Sequence, residues 1–305
     1  MAHLHAVPGT AGLVIDEPAP SRAANSSLQP AVLEAISAMH ARYFDAITLE
    51  ALAAEVFVSP FHFSRIFAKA TGVTPGRYLT AVRLFEAKRL LLTTSLTVSD
   101  VVCSVGYSSV GTFTTRFTKA VGMTPTQYRE PEVGEMLVAL SPSYQRLPPA
   151  RLVCAASRYA ESSRSSRGVI HGRVEFPAGA GPANVLVGVF ADTVPQSGPV
   201  AFTGLMNTMS ANIEIRGVPD GNWVLIALAE HPFAAPSARF SIATVRRPVA
   251  IRSGRPVYVP LMMRPPLPID APIAITLASR RAPLGGRVGV LRAAGMRIDD
   301  LPSAA

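Results

Sequence analysis

Aromatic, imidazole, hydroxyl and basic side chains follow one another closely in one short stretch of the chain: Phe61, His62, Ser64, Arg65 and Lys69. Arg65 carries a planar fork of N–H donors, which matches the two acceptors on the major-groove edge of guanine. Lys69 lies about one helical turn further along, where a lysine is better placed to contact a phosphate than a base. These residues are candidates for contacts with bases and phosphates, provided that they lie on the outward face of a helix.

A second set of candidate contact residues lies fifty positions later and has fewer side-chain donors. Val110 and Thr112 can contact the methyl group of thymine, whereas Gly111 offers no side chain to a base. We therefore expect this set to read the shape of the duplex or to bind with lower specificity than the first. The set consists of Ser109, Val110, Gly111, Thr112, Thr115, Arg116 and Lys119.

Both sets lie in copies of one sequence pattern, and this repeat indicates which side chains face outward. Phenylalanines recur four residues apart, so they share one face of a helix and are expected in the core. These core positions are Phe63 and Phe67 in the first copy and Phe113 and Phe117 in the second. The candidate contact residues then lie on the outward face. A glycine and a Thr-Pro pair follow each copy, which is typical of one helix ending and another beginning.

A shorter apolar helix is predicted before each copy, over residues 47–56 and 96–105, with a short break between that helix and the copy. Helix, tight turn and helix form the helix-turn-helix unit, whose second helix enters the major groove. Residues 77–92 predict a long amphipathic helix that acts as a rigid spacer between the two units. Residues 30–42 predict a leading helix.

Residues 28–130 resemble the DNA-binding domain of the AraC/XylS family of bacterial transcription regulators. Two motifs carry the resemblance, Ser-x-x-His-Phe-Ser-Arg-Ile-Phe-x-Lys-x-x-Gly at 59–72 and the Val-Gly-Tyr pattern that runs through the second copy at 105–129. The resemblance implies double-stranded DNA as the partner, with base contacts from both sets of residues. It also implies RNA polymerase as a candidate partner and leaves room for a small-molecule effector.

The chain departs from the family pattern in two respects. The family usually has arginine at the position of Thr115, whereas here Arg116 stands one residue later, about 100° around a helix. We therefore expect Arg116 to contact a phosphate or solvent rather than a base. The family also commonly carries its sensor domain first, whereas here the DNA-binding region precedes the other domain.

The composition favours a polyanionic partner, because the net charge is +9 and the isoelectric point is about 10.1. The charge is not concentrated in the repeat, since residues 28–130 carry a net +3 and residues 131–305 a net +7. A modest net charge still binds DNA if the cations line one face. An architectural or co-regulatory protein that binds DNA with weak sequence specificity is therefore the alternative function.

Several other classes of protein are disfavoured by the sequence. It has no run of about 18 apolar residues that could span a membrane and no basic-then-apolar signal peptide, so we expect a cytoplasmic protein. Cys103 and Cys154 are far apart and fit a reducing compartment, with Cys103 expected in the core. Some DNA-repair relatives of the family use clustered cysteines for zinc and alkyl transfer. Because the two cysteines here are isolated, we set that chemistry aside. The sequence also has no catalytic triad order, paired carboxylate site, glycine-rich phosphate loop or metal-ligand spacing, so we expect no metal, no cofactor and no enzymatic activity.

The pattern changes after residue 130. Prolines, serines and arginines over 131–167 predict a linker that includes a short helix at 136–140. From residue 168 apolar residues recur with a period of two, and six short strands predict an antiparallel β-sandwich over 168–278. These strands are expected near 170–176, 185–190, 213–215, 223–228, 240–245 and 257–262. Tails are expected over 1–27 and 279–305.

The sandwich region is similar to prealbumin-like and carboxypeptidase-regulatory-type β-sandwich modules in its strand spacing and in the Val-Pro-Asp-Gly turn at 218–221. Its role stays open between a small-molecule sensor and a module for oligomerisation or partner docking. The sequence as a whole predicts an all-α double helix-turn-helix domain followed by an antiparallel β-sandwich. The function it predicts is sequence-specific DNA binding by a transcription regulator.

Overall fold

The computed structural model describes residues 13–14, 29–162, 168–245, 247–252 and 254–278. The tails expected over 1–27 and 279–305 thus lie outside the described residues, apart from the strand β1 (Leu13–Val14). The first half is helical, as predicted. Its helices are α1 (Gln29–Arg42), α2 (Leu49–Glu55), α3 (Pro60–Thr71), α4 (Pro75–Thr93), α5 (Val98–Ser104), α6 (Val110–Val121), α7 (Pro125–Tyr128) and α8 (Pro131–Glu135).

Local chemistry sets the ends of α3 and α6. The side chains of Ser59 and Ser109 cap these helices by accepting a hydrogen bond from the backbone N–H three residues further on. At the other end Gly72 and Gly122 have φ of 84° and 82°, a left-handed conformation that glycine adopts without steric cost. The helix ends predicted from the repeat are confirmed, and the first helix-turn-helix unit (α2 and α3) and the second (α5 and α6) share one local design.

The second half of the chain is built mainly of strands, and all six predicted strands are present. Its elements are β2 (Leu137–Leu140), β3 (Gln145–Arg146), α9 (Ala150–Ser162), β4 (Gly168–Glu175), β5 (Ala183–Phe190), β6 (Ala201–Thr208), β7 (Ser210–Val218), β8 (Gly221–Glu230), β9 (Phe240–Thr244), β10 (Val249–Ile251), β11 (Val257–Met262) and β12 (Ile273–Thr276).

The strands form three sheets. The first has the order β1-β11-β4-β7, and the third has the order β12-β2-β3. In the second, β8 pairs with β5 on one side and with β9 and β10 on the other, and β6 lies beyond β5. The first and second sheets enclose one core, with Ile170, Val187 and Leu225 among its members. The other face of the second sheet packs on the third sheet and α9.

Burial on both faces explains the continuous apolar runs of the second and third sheets. A strand that is buried on both faces has no reason to alternate apolar and polar residues. Such runs are Val-Leu-Val-Gly-Val-Phe in β5, Val-Leu-Ile-Ala-Leu-Ala in β8, Leu-Val-Ala-Leu in β2 and Ile-Ala-Ile-Thr in β12. By contrast, β4 alternates as predicted, because only one of its faces meets the core.

The structure corrects three expectations for this half. Residues 131–162 are not a linker, since they contain α8, β2, β3 and α9. The short helix expected at 136–140 is the strand β2, which pairs with β12. The sandwich is not wholly antiparallel, because β11 lies parallel to β4 with Val257 opposite Ile170. Short-range patterns miss these features because they depend on pairing between segments far apart in sequence.

Helix α4 packs against three parts of the protein: the first unit, the second unit and the strand-rich half. Residues near its start, among them Tyr78 and Val82, join the core of the first unit. Leu84 and Leu91 join the core of the second unit, and Phe85 packs on β2 and β12. The helix spaces the two units as predicted, but it is not amphipathic, because each residue from Ala81 to Leu92 is buried or half-buried and this part of the helix has no solvent-facing side.

Lys88 of α4 is fully buried against the strand-rich half. Its ammonium donates hydrogen bonds to the backbone oxygen of Gln196 at 2.8 Å, to Oε1 of Gln196 at 3.0 Å and to the backbone oxygen of Ala274 at 2.7 Å. Gln196 lies in the loop between β5 and β6, and Ala274 lies in β12. A buried ammonium needs partners for its donors, so these acceptors tie α4 to the second half.

Two further contacts join the start of α4 to the strand-rich half. The hydroxyl of Tyr78 donates a hydrogen bond to the backbone oxygen of Asp270 at 3.1 Å, and Arg77 forms an ion pair with Asp192. Val194 and Ile269, from loops of the second half, pack on the core of the first unit. The strand-rich half is therefore docked on α4 and on the first unit.

The burial of Lys88 predicts a pH-dependent stability. Burial lowers the pKa of Lys88 from 10.5 to about 7. Between about pH 7 and pH 10.5 the unfolded chain then binds more protons at this site than the folded chain, so the free energy of unfolding rises with pH. Chemical denaturation over this range should show that the stability of the wild type relative to Lys88→Met increases with pH above 7 and is level below it.

Lys119→Met is the matched control, because it removes an exposed lysine from another helix. The difference between the wild type and this control should not follow the same curve. A stability difference between the wild type and Lys88→Met that stays constant from pH 6 to pH 10 would contradict the burial of the Lys88 amine.

Candidate nucleic-acid interface

The outward face of α3 brings together the first set of candidate contact residues. Ser64 is half-buried, and the other four are exposed: Phe61, His62, Arg65 and Lys69. The guanidinium carbon of Arg65 lies 5.9 Å from the centre of the Phe61 ring, within the range of a cation–π contact. Arg65, in the middle of α3, therefore presents its donors beside the aromatic ring of Phe61.

The matching face of α6 exposes every residue of the second set: Ser109, Val110, Gly111, Thr112, Thr115, Arg116 and Lys119. Thr115 takes the place of Arg65 in this unit, and Arg116 takes the place of Ile66. Ile66 is buried, whereas Arg116 is exposed. The second unit therefore offers hydroxyl groups and backbone where the first offers an arginine fork.

A matched chain of aromatic rings holds each of these helices in place. The ring centres of Phe63 and Phe67 are 5.6 Å apart, and those of Phe67 and Tyr78 are 5.5 Å apart. In the second unit the corresponding distances are 5.4 Å and 5.5 Å, between Phe113, Phe117 and Tyr128. All six rings are fully buried, so the phenylalanines predicted for the core are confirmed and each outward face has a rigid support.

Arg83 of α4 connects the two units, and the sequence analysis did not identify it. Its Nε donates a hydrogen bond to the backbone oxygen of Tyr43 at 2.7 Å, and a terminal nitrogen donates to the backbone oxygen of Asp45 at 2.6 Å. Its guanidinium carbon also lies 5.9 Å from the centre of the Tyr107 ring, in the turn of the second unit. No signal in the sequence distinguishes Arg83 from the other charged residues of α4.

The structure corrects one expectation for the cysteines. Cys103 is exposed rather than in the core, because Val101 and Val102 fill the buried face of α5 and each residue advances about 100° around a helix. Within the described ranges, no group of three or more His, Cys, Asp or Glu side chains is placed to hold a metal ion. No helix of the same ranges is long and apolar enough to cross a membrane.

Comparison with known proteins concerns the helical half. A family model described as a helix-turn-helix domain matches residues 52–131. The chain is 35% identical over 102 residues to the uncharacterized HTH-type transcriptional regulator YobQ of Bacillus subtilis, which covers 33% of this chain and 42% of YobQ. A solved structure, the C-terminal domain of the response regulator AraT from Geobacillus stearothermophilus, has 34% sequence identity and a TM-score of 0.33, covering 35% of this chain and 88% of that domain.

The relative that decides the family is the probable transcription factor PqrA of Proteus vulgaris. The two are 34% identical over 86 residues, which covers 28% of this chain and 70% of PqrA. The chain belongs to the AraC/XylS family. The match to YobQ spans less than half of that protein. Family membership therefore describes the two helix-turn-helix units, and the strand-rich half of this AraC/XylS-family chain has to be interpreted from its own structure.

The different exposure of the two cysteines predicts their order of reaction. Cys103 is exposed and Cys154 is half-buried, and burial raises the pKa of the Cys154 thiol. Because the thiolate is the reactive form, a thiol-reactive probe near pH 8 should label Cys103 first. Mass spectrometry of a time course should show a fast phase that Cys103→Ser removes and Cys154→Ser keeps. A fast phase that persists in Cys103→Ser would contradict the exposed position.

Proposed function

We propose that this protein is a sequence-specific DNA-binding regulator of transcription. The observation that carries the proposal is the pair of helix-turn-helix units with exposed outward faces, of which the first presents Arg65 beside Phe61. An arginine fork of this kind reads guanine in the major groove. The relatives support the assignment, since YobQ is described as a transcriptional regulator and PqrA as a probable transcription factor.

Lysines at equivalent positions supply a contact that is independent of sequence. Lys69 and Lys119 are exposed in the last turns of α3 and α6, where they are placed for phosphates rather than for base edges. The exposed side chain of Arg116 adds a further cation to the second unit. We infer that the second unit binds mainly through phosphate contacts and duplex shape, and that the first unit supplies most of the base reading.

The shared helix α4 favours one mode of binding for the two units. Because both units pack on this helix, they hold a fixed relative orientation. Two units on one side of a duplex would occupy successive major grooves, about 34 Å apart. One chain would then cover an asymmetric site of about two helical turns, without the need for a palindrome.

The other parts of the proposal follow from this function. The alternative is an architectural or co-regulatory protein that binds DNA through charge with weak specificity, which the net charge of +9 also favours. As a DNA-binding regulator without enzymatic activity, the protein would work in the bacterial cytoplasm. RNA polymerase is a candidate partner, and the strand-rich half is a candidate site for a small-molecule effector or for partner docking.

Arg65→Ala separates the regulator from the architectural alternative. Removing the fork should weaken binding to a selected site by about 1–3 kcal/mol and relax the preference at one base position. Lys69→Ala should weaken binding to selected and random duplexes alike, because a phosphate contact carries no sequence information. The measurement is equilibrium binding at fixed salt to a duplex selected from genomic fragments and to a scrambled duplex. Equal losses on both duplexes for Arg65→Ala would favour the architectural alternative.

The binding mode predicts a specific footprint. Hydroxyl-radical cleavage of the selected duplex with the full chain should show two protected patches about one helical turn apart on one side of the DNA. An acidic residue repels phosphates, so Arg65→Glu should remove one patch first and Thr112→Glu the other. A single patch in the wild type, or the loss of both patches together in Thr112→Glu at high protein concentration, would contradict binding by two separate units.

A further inference from the structure

The two helix-turn-helix units differ at the residue that makes the turn. In the second unit this residue is Gly106, with φ of 76°. In the first unit it is Phe57, with φ of 57°. The two positions are equivalent, because the next residue closes the same hydrogen bond in each turn: Val58 N to Ala53 O at 3.0 Å and Tyr107 N to Val102 O at 3.1 Å.

A phenylalanine is an unfavourable choice for this turn. The left-handed region suits glycine, whereas a bulky residue there is a conformational outlier. Phe57 is also 96% exposed, so burial of its ring does not offset the strained backbone. A Cβ atom at Gly106 would lie 2.7 Å from the backbone oxygen of Phe44, so the second turn requires glycine, whereas the first turn has room for a side chain. A strained and exposed aromatic side chain points to a function outside the fold itself.

A second aromatic residue lies close by in sequence and follows the same rule. Phe61, in the first turn of α3, is 75% exposed, and its counterpart two residues after the capping serine of α6 is Gly111. Phe57 and Phe61, the two exposed phenylalanines of α3 and the turn before it, are therefore both replaced by glycine in the second unit. Phe61 also lies against Arg65. The N-terminal end of a recognition helix is the end that approaches base edges. In the first unit Phe61 lies at this end of α3, and Phe57 lies in the turn just before it.

We propose that Phe57 is a DNA-contacting residue that, together with Phe61, packs on apolar groups of the duplex at the site of the first unit. The apolar groups available in a major groove are the C5-methyl group of thymine and the deoxyribose rings that line the groove. The proposal rests on the DNA-binding function proposed above. It gives the first unit an aromatic contact that the second unit lacks, and it extends the surface that reads sequence from α3 into the turn before it.

Phe57→Gly tests the proposal without a risk of unfolding. Glycine suits the left-handed turn, so the free chain should melt at the same temperature as the wild type or higher. Affinity for the selected duplex should fall about tenfold, on the order of the loss of one good contact. Phe233→Ala is the matched control, because Phe233 is an 87% exposed aromatic residue of the strand-rich half, and its affinity should equal that of the wild type.

Replacing single thymines of the selected duplex by deoxyuridine identifies the group that is contacted. If Phe57 packs on a methyl group, one such replacement should weaken the wild type and leave Phe57→Gly unchanged. If it packs on a deoxyribose, no replacement should distinguish the two proteins, although Phe57→Gly still binds the duplex more weakly. Either result supports the contact with DNA.

A Phe57→Gly chain that binds the selected duplex as tightly as the wild type would overturn this inference and leave the proposed function intact. If that chain also lost transcription in a reaction with purified RNA polymerase, Phe57 would be assigned to a protein partner instead. A wild type that prefers no duplex sequence would instead refute the proposed function and this inference together.

Discussion

The burial of α4 between the two helix-turn-helix units and the strand-rich half is the constraint on which the rest of the structure depends. The two helix-turn-helix units and the strand-rich half each pack on a different face of this helix. Lys88 shows how far this burial goes, since its ammonium is inaccessible to solvent and reaches backbone oxygen atoms in the loop before β6 and in β12. Removing one charge from water is costly unless its donors are satisfied, so the docking geometry is closely specified.

The two units differ in how they contact the strand-rich half. The first unit is docked against this half, and there Tyr78 donates a hydrogen bond to the backbone oxygen of Asp270. Its counterpart Tyr128 is buried with no hydrogen-bond partner for its hydroxyl among the described residues. The outward faces differ too, because the first carries Phe61 and Arg65 where the second carries glycine and threonine. We infer a division of work in which a braced first unit reads bases and the second unit extends the site along the DNA.

The helical half could be predicted from sequence because its signals are local: phenylalanines four residues apart, a terminal glycine and a following Thr-Pro pair define α3 and α6 without reference to distant segments. The remaining elements depend on tertiary pairing. Leu137–Leu140 forms a strand because Ile273–Thr276 pairs with it. The middle of α4 has no solvent-facing side because the two units and the strand-rich half pack around it. The outward position of the candidate contact residues followed from the repeat, whereas Arg83 and Phe57 gave no periodic signal.

The central claim is that α4 fixes the separation of the two units before DNA is bound. Spin labels on the native Cys103 of α5 and on a cysteine introduced at the exposed Ala54 of α2, with Cys154 replaced by serine, allow this separation to be measured by double electron–electron resonance without changing a proposed DNA contact. The structure predicts one narrow distance distribution in the free chain, unchanged when the selected duplex is added. A broad distribution that narrows only on DNA would contradict the claim, because it would mean that the duplex rather than α4 orders the units.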